Sequence, residues 1–294
     1  MPGVLPLDSS IPRKRAFRYN PHNVASLNKN RKGNAPHVLI FLIKCRPAIV
    51  SSAAPWLHGF RMAVQPHRSL MLPGPAGRVE AILWSMAAEN TAAQPPLAAV
   101  VCHPHPLFGG SMHNKVVYQT AKTIHRFGLP VLRFNFRGVG RSEGTHDKGD
   151  GEKDDVLAVL DFLATEYPGA PLLVAGFSFG SWIGLRSGCG DPRVVEMIGM
   201  GLPVGSLDKR DFTYLERCEK PKLLVSGEFD QFGPPHQLRA MVEKFPAPVL
   251  RQTQVEIVRG GDHFFTGHLP ELDRKLSEWL LARHPELAAR EEHK

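Results

Sequence analysis

The chain of 294 residues is expected to fold as an α/β protein. Its central sheet should be mostly parallel, of about eight strands, with helices on both sides. Three observations lead there. Short apolar runs alternate with segments whose apolar residues recur at helical spacing, from Ser69 to the last periodic segment at Leu281. Several runs, such as Ala98–Cys102 (AAVVC), are wholly apolar, as in a strand covered on both faces. Finally, the strand-like Leu172–Ala175 enters Gly176-Phe177-Ser178-Phe179-Gly180, and an apolar helical pattern resumes from Trp182 to Leu185. A tight turn with glycines on both sides of a serine therefore joins a strand to a helix.

In chain order, Ser69–Leu72 and Arg78–Trp84 read as a hairpin around the turn-rich Pro73-Gly74-Pro75-Ala76-Gly77. Strand Ala98–Cys102 runs into His103-Pro104-His105-Pro106-Leu107-Phe108-Gly109-Gly110-Ser111. A helix is expected from about Asn114 to Phe127, with Gly128 closing it in the left-handed conformation. Pro130–Phe134 is a strand leading into Asn135-Phe136-Arg137-Gly138. Asp154–Glu166 is an amphipathic helix with Val156, Leu157, Leu160 and Leu163 on one stripe. After the serine turn, strands are expected at Val194–Met200, Lys222–Val225 and Val255–Val258, and helices at Gln237–Phe245 and Leu272–Leu281. There is no internal repeat.

The net charge of +8 does not belong to this alternating region. Residues 1–61 hold ten Lys/Arg against the single acid Asp8, leaving 26 basic and 27 acidic residues for the rest. The basicity therefore gives no reason to expect nucleic-acid binding by the domain. The first 61 residues have a disorder-like composition, and a domain of residues 62–294 is expected to follow them. Val38–Ile43 is too short, and too soon followed by Lys44 and Arg46, for a secretory signal. The acid-poor composition faintly resembles an organellar transit peptide, but the preferred reading is translated upstream sequence before a start at Met62. Cys45, Cys102, Cys189 and Cys218 are widely spaced with no C-x-x-C pair, which suits a reducing compartment, and a cytoplasmic location is expected. No run has the length of a membrane span, so no membrane partner is expected.

The turn around Ser178 has the features of a G-x-S-x-G nucleophile elbow. Glycines two residues to either side let strand and helix approach closely, and the Phe179 amide lies at the helix N-terminus, where negative charge is favoured. The bland alternative is a small-residue turn without chemistry. A serine hydroxyl needs a base to take its proton. Downstream, Asp230 stands just past the end of strand Lys222–Val225, where catalytic groups gather in open α/β sheets, with Glu228 as its understudy. An ordinary turn aspartate is the alternative. His263 lies in the glycine-loosened loop after the last strand, about 33 residues beyond the acid. His268 is a decoy near a helix start, and the side chain of Asp262 is expected to point elsewhere. Two N–H donors are needed for an oxyanion. Phe179 is one; the other should come from the loop after Ala98–Cys102, where Pro104 and Pro106 have no N–H, leaving His105 ahead of Leu107 or Phe108. His103 and His105 have no third ligand spaced to complete a metal site, and His103 is expected to brace its loop.

These segments together resemble the α/β-hydrolase superfamily over roughly residues 68–285. The loop HPHPLFGGSMHNK, the stretch RFNFRGVGRSEG and the elbow GFSFG are similar to small bacterial serine hydrolases near the dienelactone hydrolases and prolyl-oligopeptidase-type domains. The resemblance implies Ser178 as nucleophile, Asp230 as acid and His263 as base, acting on a small ester or thioester without metal or organic cofactor. It departs from the family at Pro104, where glycine is usual after the loop histidine. The segment from Gly201 to Lys220 leaves room for a small cap or none. Phe108, Phe177, Phe179 and Phe264 are candidates to line an apolar pocket, or simply to pack. A catalytically inactive binding module, or an acyltransferase or peptidase on the same triad, are the alternative functions. The expected assembly is a monomer or homodimer.

Overall fold

The computed structural model of the chain describes residues 67–86, 94–206 and 210–291. The expected extension 1–61 and the start at Met62 lie outside them. Among the described residues, strands β1 (His67–Gly74), β2 (Gly77–Trp84), β3 (Ala98–Cys102), β4 (Val131–Phe134), β5 (Leu172–Phe177), β6 (Val194–Met200), β7 (Lys222–Gly227) and β8 (Thr253–Val258) form one sheet. Its order is β1-β2-β4-β3-β5-β6-β7-β8. β1 pairs antiparallel with β2, and β2 with β4; every later pairing is parallel.

The wholly apolar strands occupy the middle of the sheet because both faces are covered. Along β3, Ala98, Val100 and Cys102 enter one core, and Ala99 and Val101 enter the other. β5 divides the same way, with Leu172 and Val174 against Leu173, Ala175 and Phe177. Successive residues of a strand face opposite sides, so each of these strands serves two cores at once. The first core is closed by helices α2 (Asp150–Glu166), α3 (Phe179–Gly190) and α4 (Pro235–Val242), through side chains such as Val156, Ile183 and Leu238. The second is closed by α1 (Lys115–Arg126) and α6 (Leu269–Arg283), through Val116, Ile124, Leu276 and Leu280. Fully burying an aliphatic side chain of this size is worth about 1.5–3 kcal/mol.

Helix α1 is closed by Gly128 as expected, and Asn114 caps its start. The Asn114 carboxamide accepts from the Val116 and Val117 amides, and Gly128 follows the helix at φ 74°. Helix α2 differs from expectation by starting at Asp150 rather than Asp154. Its first turn, Asp150-Gly151-Glu152, has poor intrinsic helix propensity and is held by tertiary contacts instead. The Glu152 carboxylate accepts from the Gly149 amide at 2.8 Å and the Asp147 amide at 3.0 Å. A Cβ at Gly151 would stand 1.9 Å from the Arg137 guanidinium, so glycine makes room for that side chain. Arg137 then pairs with the fully buried Asp155, Nη2 to Oδ1 at 2.8 Å, while its own backbone N–H donates to Oδ2 at 3.0 Å. The expected helix from Gln237 to Phe245 instead runs from Pro235 to Val242, and a separate short helix α5 (Ala247–Arg251) follows Pro246, in keeping with the preference of proline for helix starts over interiors.

His103 leaves β3 fully buried. Its Nε2 accepts from the Phe136 amide at 2.9 Å, so the proton sits on Nδ1 and is donated to the Pro104 carbonyl at 2.6 Å. The ring braces the two loops that follow β3 and β4. Burial, reinforced by His105 nearby, holds its pKa down to about 4 from the ordinary 6.5.

Two predictions follow from these contacts. Replacing Asp155 by Ala leaves the Arg137 cation without its partner and is expected to cost about 3–5 kcal/mol in urea unfolding. Stability from neutral His103 is complete above pH 6.5 and is lost as pH falls toward 4, at up to about 1.4 kcal/mol per pH unit. The His103→Gln variant should show a flatter dependence of unfolding free energy across that window; an unchanged slope would show that His103 is not the group responsible.

Candidate active site

The backbone at Ser178 is held at φ 54° and ψ −119°, a conformation rare for a residue with a side chain. Neighbouring backbone leaves no room for anything but glycine around it. A Cβ at Gly176 would meet the Gly180 carbonyl oxygen at 2.2 Å, and a Cβ at Gly180 would meet the His103 and Cys102 carbonyl oxygens at 2.4 and 2.5 Å. The turn is tied down on both sides. Ser178 N–H donates to the Met200 carbonyl at 2.8 Å, and the Ser181 hydroxyl donates to the Ser178 carbonyl at 2.6 Å. The half-buried Ser178 side chain is thereby fixed at the C-terminal end of β5, with the Phe179 amide opening α3 beside it.

The structure brings the three predicted side chains together. His263 Nε2 lies 2.9 Å from Ser178 Oγ, and His263 Nδ1 lies 2.9 Å from each carboxylate oxygen of Asp230. With Asp230 as acceptor, Nδ1 carries the proton, and Nε2 is left to accept from the serine hydroxyl. Asp230 and His263 are buried. Asp230 Oδ1 also accepts from the Phe232 and Gly233 amides, each at 2.8 Å, which fixes the carboxylate in the turn after β7. His263 is packed by the Phe177 ring at 5.1 Å and the Phe232 ring at 4.7 Å between centroids.

The understudy and the decoy are occupied elsewhere. Glu228 accepts from the Gly260 amide at 2.8 Å, and His268 donates to the Thr266 carbonyl at 2.8 Å. Asp262 points away from His263 into its own loop, where it accepts from the Phe264 and Thr266 amides. His105 caps the 3₁₀ turn Pro106–Phe108, its Nδ1 accepting from the Leu107 amide at 3.2 Å, while the Gly110 N–H donates to its carbonyl at 3.1 Å. The loop that carries it forms one wall above Ser178.

A cavity of about 560 Å³ opens over Ser178 and His263. Phe108 and Phe264 line it, as expected, together with His105. Phe177 and Phe179 do not line this cavity: they are buried at 0% and 1% exposure, because the residues flanking the elbow serine face inward on both sides of the sheet, and Phe179 borders only a neighbouring cavity. Arg210, Gln231 and Phe232 also line the cavity and carry no sequence signal of their own. They reach it only because the connections after β6 and β7 end over the same sheet edge. The described residues between β6 and β7 form one short 3₁₀ turn, Thr213–Arg217, and no larger cap.

Comparison with known proteins bears on the fold. A family model described as an alpha/beta hydrolase domain matches residues 98–276. An uncharacterized protein of Rickettsia prowazekii is 35% identical over 210 residues, 71% of this chain and 86% of that protein. The structure of an alpha-beta serine hydrolase homologue from Coxiella burnetii superposes with a TM-score of 0.65 at 34% identity, covering 72% of this chain and 97% of the other. A Xanthomonas campestris protein described as an α/β serine hydrolase without lid gives a TM-score of 0.62 at 31% identity, over 73% and 93%. The strand order, the strained serine turn and the extent of these matches lead to one conclusion: the chain belongs to the α/β-hydrolase family.

Proposed function

We propose that the protein is a serine hydrolase that cleaves small carboxylic esters or thioesters through an acyl-enzyme. The observation that carries this reading is the continuous hydrogen-bonded line from Ser178 Oγ through the His263 ring to the buried Asp230 carboxylate. In that line His263 Nε2 takes the serine proton as Oγ attacks the substrate carbonyl, and Asp230 holds the ring and stabilises the imidazolium that forms. The oxyanion is held by the Phe179 N–H at the start of α3, with the His105 N–H as second donor. His263 returns the proton to the leaving alcohol or thiol, and water then releases the acyl group by the same steps in reverse roles. No metal or organic cofactor takes part in this scheme. The open cavity and the short connection between β6 and β7 favour compact substrates over long lipid chains.

The two rival readings, an inactive binding module and an acyltransferase or peptidase on the same residues, separate from this one in direct assays. A fluorophosphonate probe is expected to label the wild-type chain on Ser178 and to leave Ser178→Ala unlabelled; a wild-type protein that resists labelling would favour the binding module. In a panel of p-nitrophenyl esters, thioesters and aminopeptides, ester or thioester turnover should dominate. The His263→Ala variant should lose roughly four or more orders of magnitude in kcat. Retention of wild-type turnover in that variant would remove His263 from the mechanism.

A further inference from the structure

A second cavity, of about 440 Å³, lies beside the one over Ser178, and His105 and Arg210 line both. His146, Lys148, Phe179 and Trp182 complete most of its wall. Four basic side chains thus face one space, and the acid among its lining residues is Asp211. Asp211 is drawn into its own turn, accepting from the Thr213 amide at 2.9 Å. Glu152, fully buried, holds His146 from behind: its Oε1 lies 2.6 Å from His146 Nδ1, and its oxygens also accept from the Asp147 and Gly149 amides. Arg210 is positioned by aromatic faces. Its guanidinium carbon lies 5.3 Å from the Trp182 ring centroid and 5.9 Å from that of Phe179, a cation–π arrangement that orients the planar fork. His105 accepts from the Leu107 amide through Nδ1, so its own proton is on Nε2. The alcove therefore joins the cations of Arg210 and Lys148 and the His105 N–H to an aromatic floor, next to the serine.

We infer that this alcove receives a negatively charged group of the substrate, a carboxylate or phosphate, while the scissile carbonyl lies at Ser178. The inference rests on the hydrolase reading above and narrows it to esters and thioesters that carry an anion. Arg210 is the residue that selects them, because it borders both cavities and its fork matches either oxyanion. Lys148 adds a second charge from the exposed side of the alcove.

The test compares paired substrates on the full chain: p-nitrophenyl butanoate with p-nitrophenyl hemiglutarate, and phenyl acetate with 4-acetoxybenzoate and 4-acetoxyphenyl phosphate. The first pair places the anion on the acyl side; the last two separate carboxylate from phosphate. At least one anionic ester is expected to exceed its neutral partner about tenfold or more in kcat/KM, the advantage shrinking with added salt. In Arg210→Gln the ratio of anionic to neutral kcat/KM should fall by about 10- to 100-fold, with Arg210→Lys intermediate. Lys148→Gln should lower the same ratio without touching the aromatic packing. If neutral esters turn over but no anionic partner is preferred, or the preference survives Arg210→Gln, the alcove assignment falls and the hydrolase reading stands. If no ester turns over, the hydrolase reading fails, and calorimetric titration with monomethyl glutarate and phenyl phosphate decides the alcove alone. Binding that weakens in Arg210→Gln supports it, and absence of binding overturns it.

Discussion

The close passage of α3 over the end of β3 governs the rest of the molecule. Where a Cβ on Gly180 would collide with the Cys102 and His103 carbonyls, the chain turns from strand to helix within one residue, and that residue takes φ 54°. Holding a serine there costs about 1–3 kcal/mol, offset by hydrogen bonds on both sides of the turn and by the apolar burial of β5 and α3. The strain has a geometric consequence. The Ser178 side chain cannot fold back into the core, so its hydroxyl stands above the sheet edge on which the later loops converge.

Those later loops are laced to one another independently of the serine. Glu228 N–H donates to the Val258 carbonyl at 2.9 Å, and Phe229 N–H donates to the Gly261 carbonyl at 2.8 Å. A Cβ on Gly227 would stand 2.5 Å from that same Gly261 oxygen, so glycine is needed for the two loops to meet. Glu228 adds its carboxylate to the lacing through the Gly260 amide. Asp230 and His263 are thus a preassembled pair set by backbone contacts, and the elbow brings the hydroxyl to them. For the hydrolase proposed above, preorganisation of this kind would spare the cost of ordering these groups as substrate arrives.

The surroundings of the hydroxyl are amphipathic. Phe108, Phe232 and Phe264 are exposed at the cavity and Leu107 stands beside Phe108, whereas the adjoining alcove is basic. Apolar side chains exposed together around a cleft are characteristic of surfaces that meet a ligand. Here they abut a cation held over the aromatic rings of Phe179 and Trp182, so shape and charge vary together across a short distance.

Much of this was legible in the sequence, for reasons that are local. The apolar run at Ala98–Cys102 matches β3 residue for residue, because a strand buried on both faces reads as a continuous apolar run, and Val194–Met200 matches β6 even though it carries Glu196, which is held by Arg283 and His284. Ser178 was legible from its two glycines, and Asp230 and His263 from their places after β7 and β8, since chain order in a parallel sheet fixes which edge each loop occupies. The start of α2 at Asp150 was not legible, because it depends on Arg137 filling the space beside Gly151. Neither were the inward turn of Phe177 and Phe179 nor the place of Arg210. The sequence by itself determined the order of strands and helices and the identity of the three polar groups, because periodicity and turn chemistry act over a few neighbouring residues. Only the tertiary structure decided the distances among those groups and what else borders them, because residues far apart in the chain meet only once the sheet has assembled.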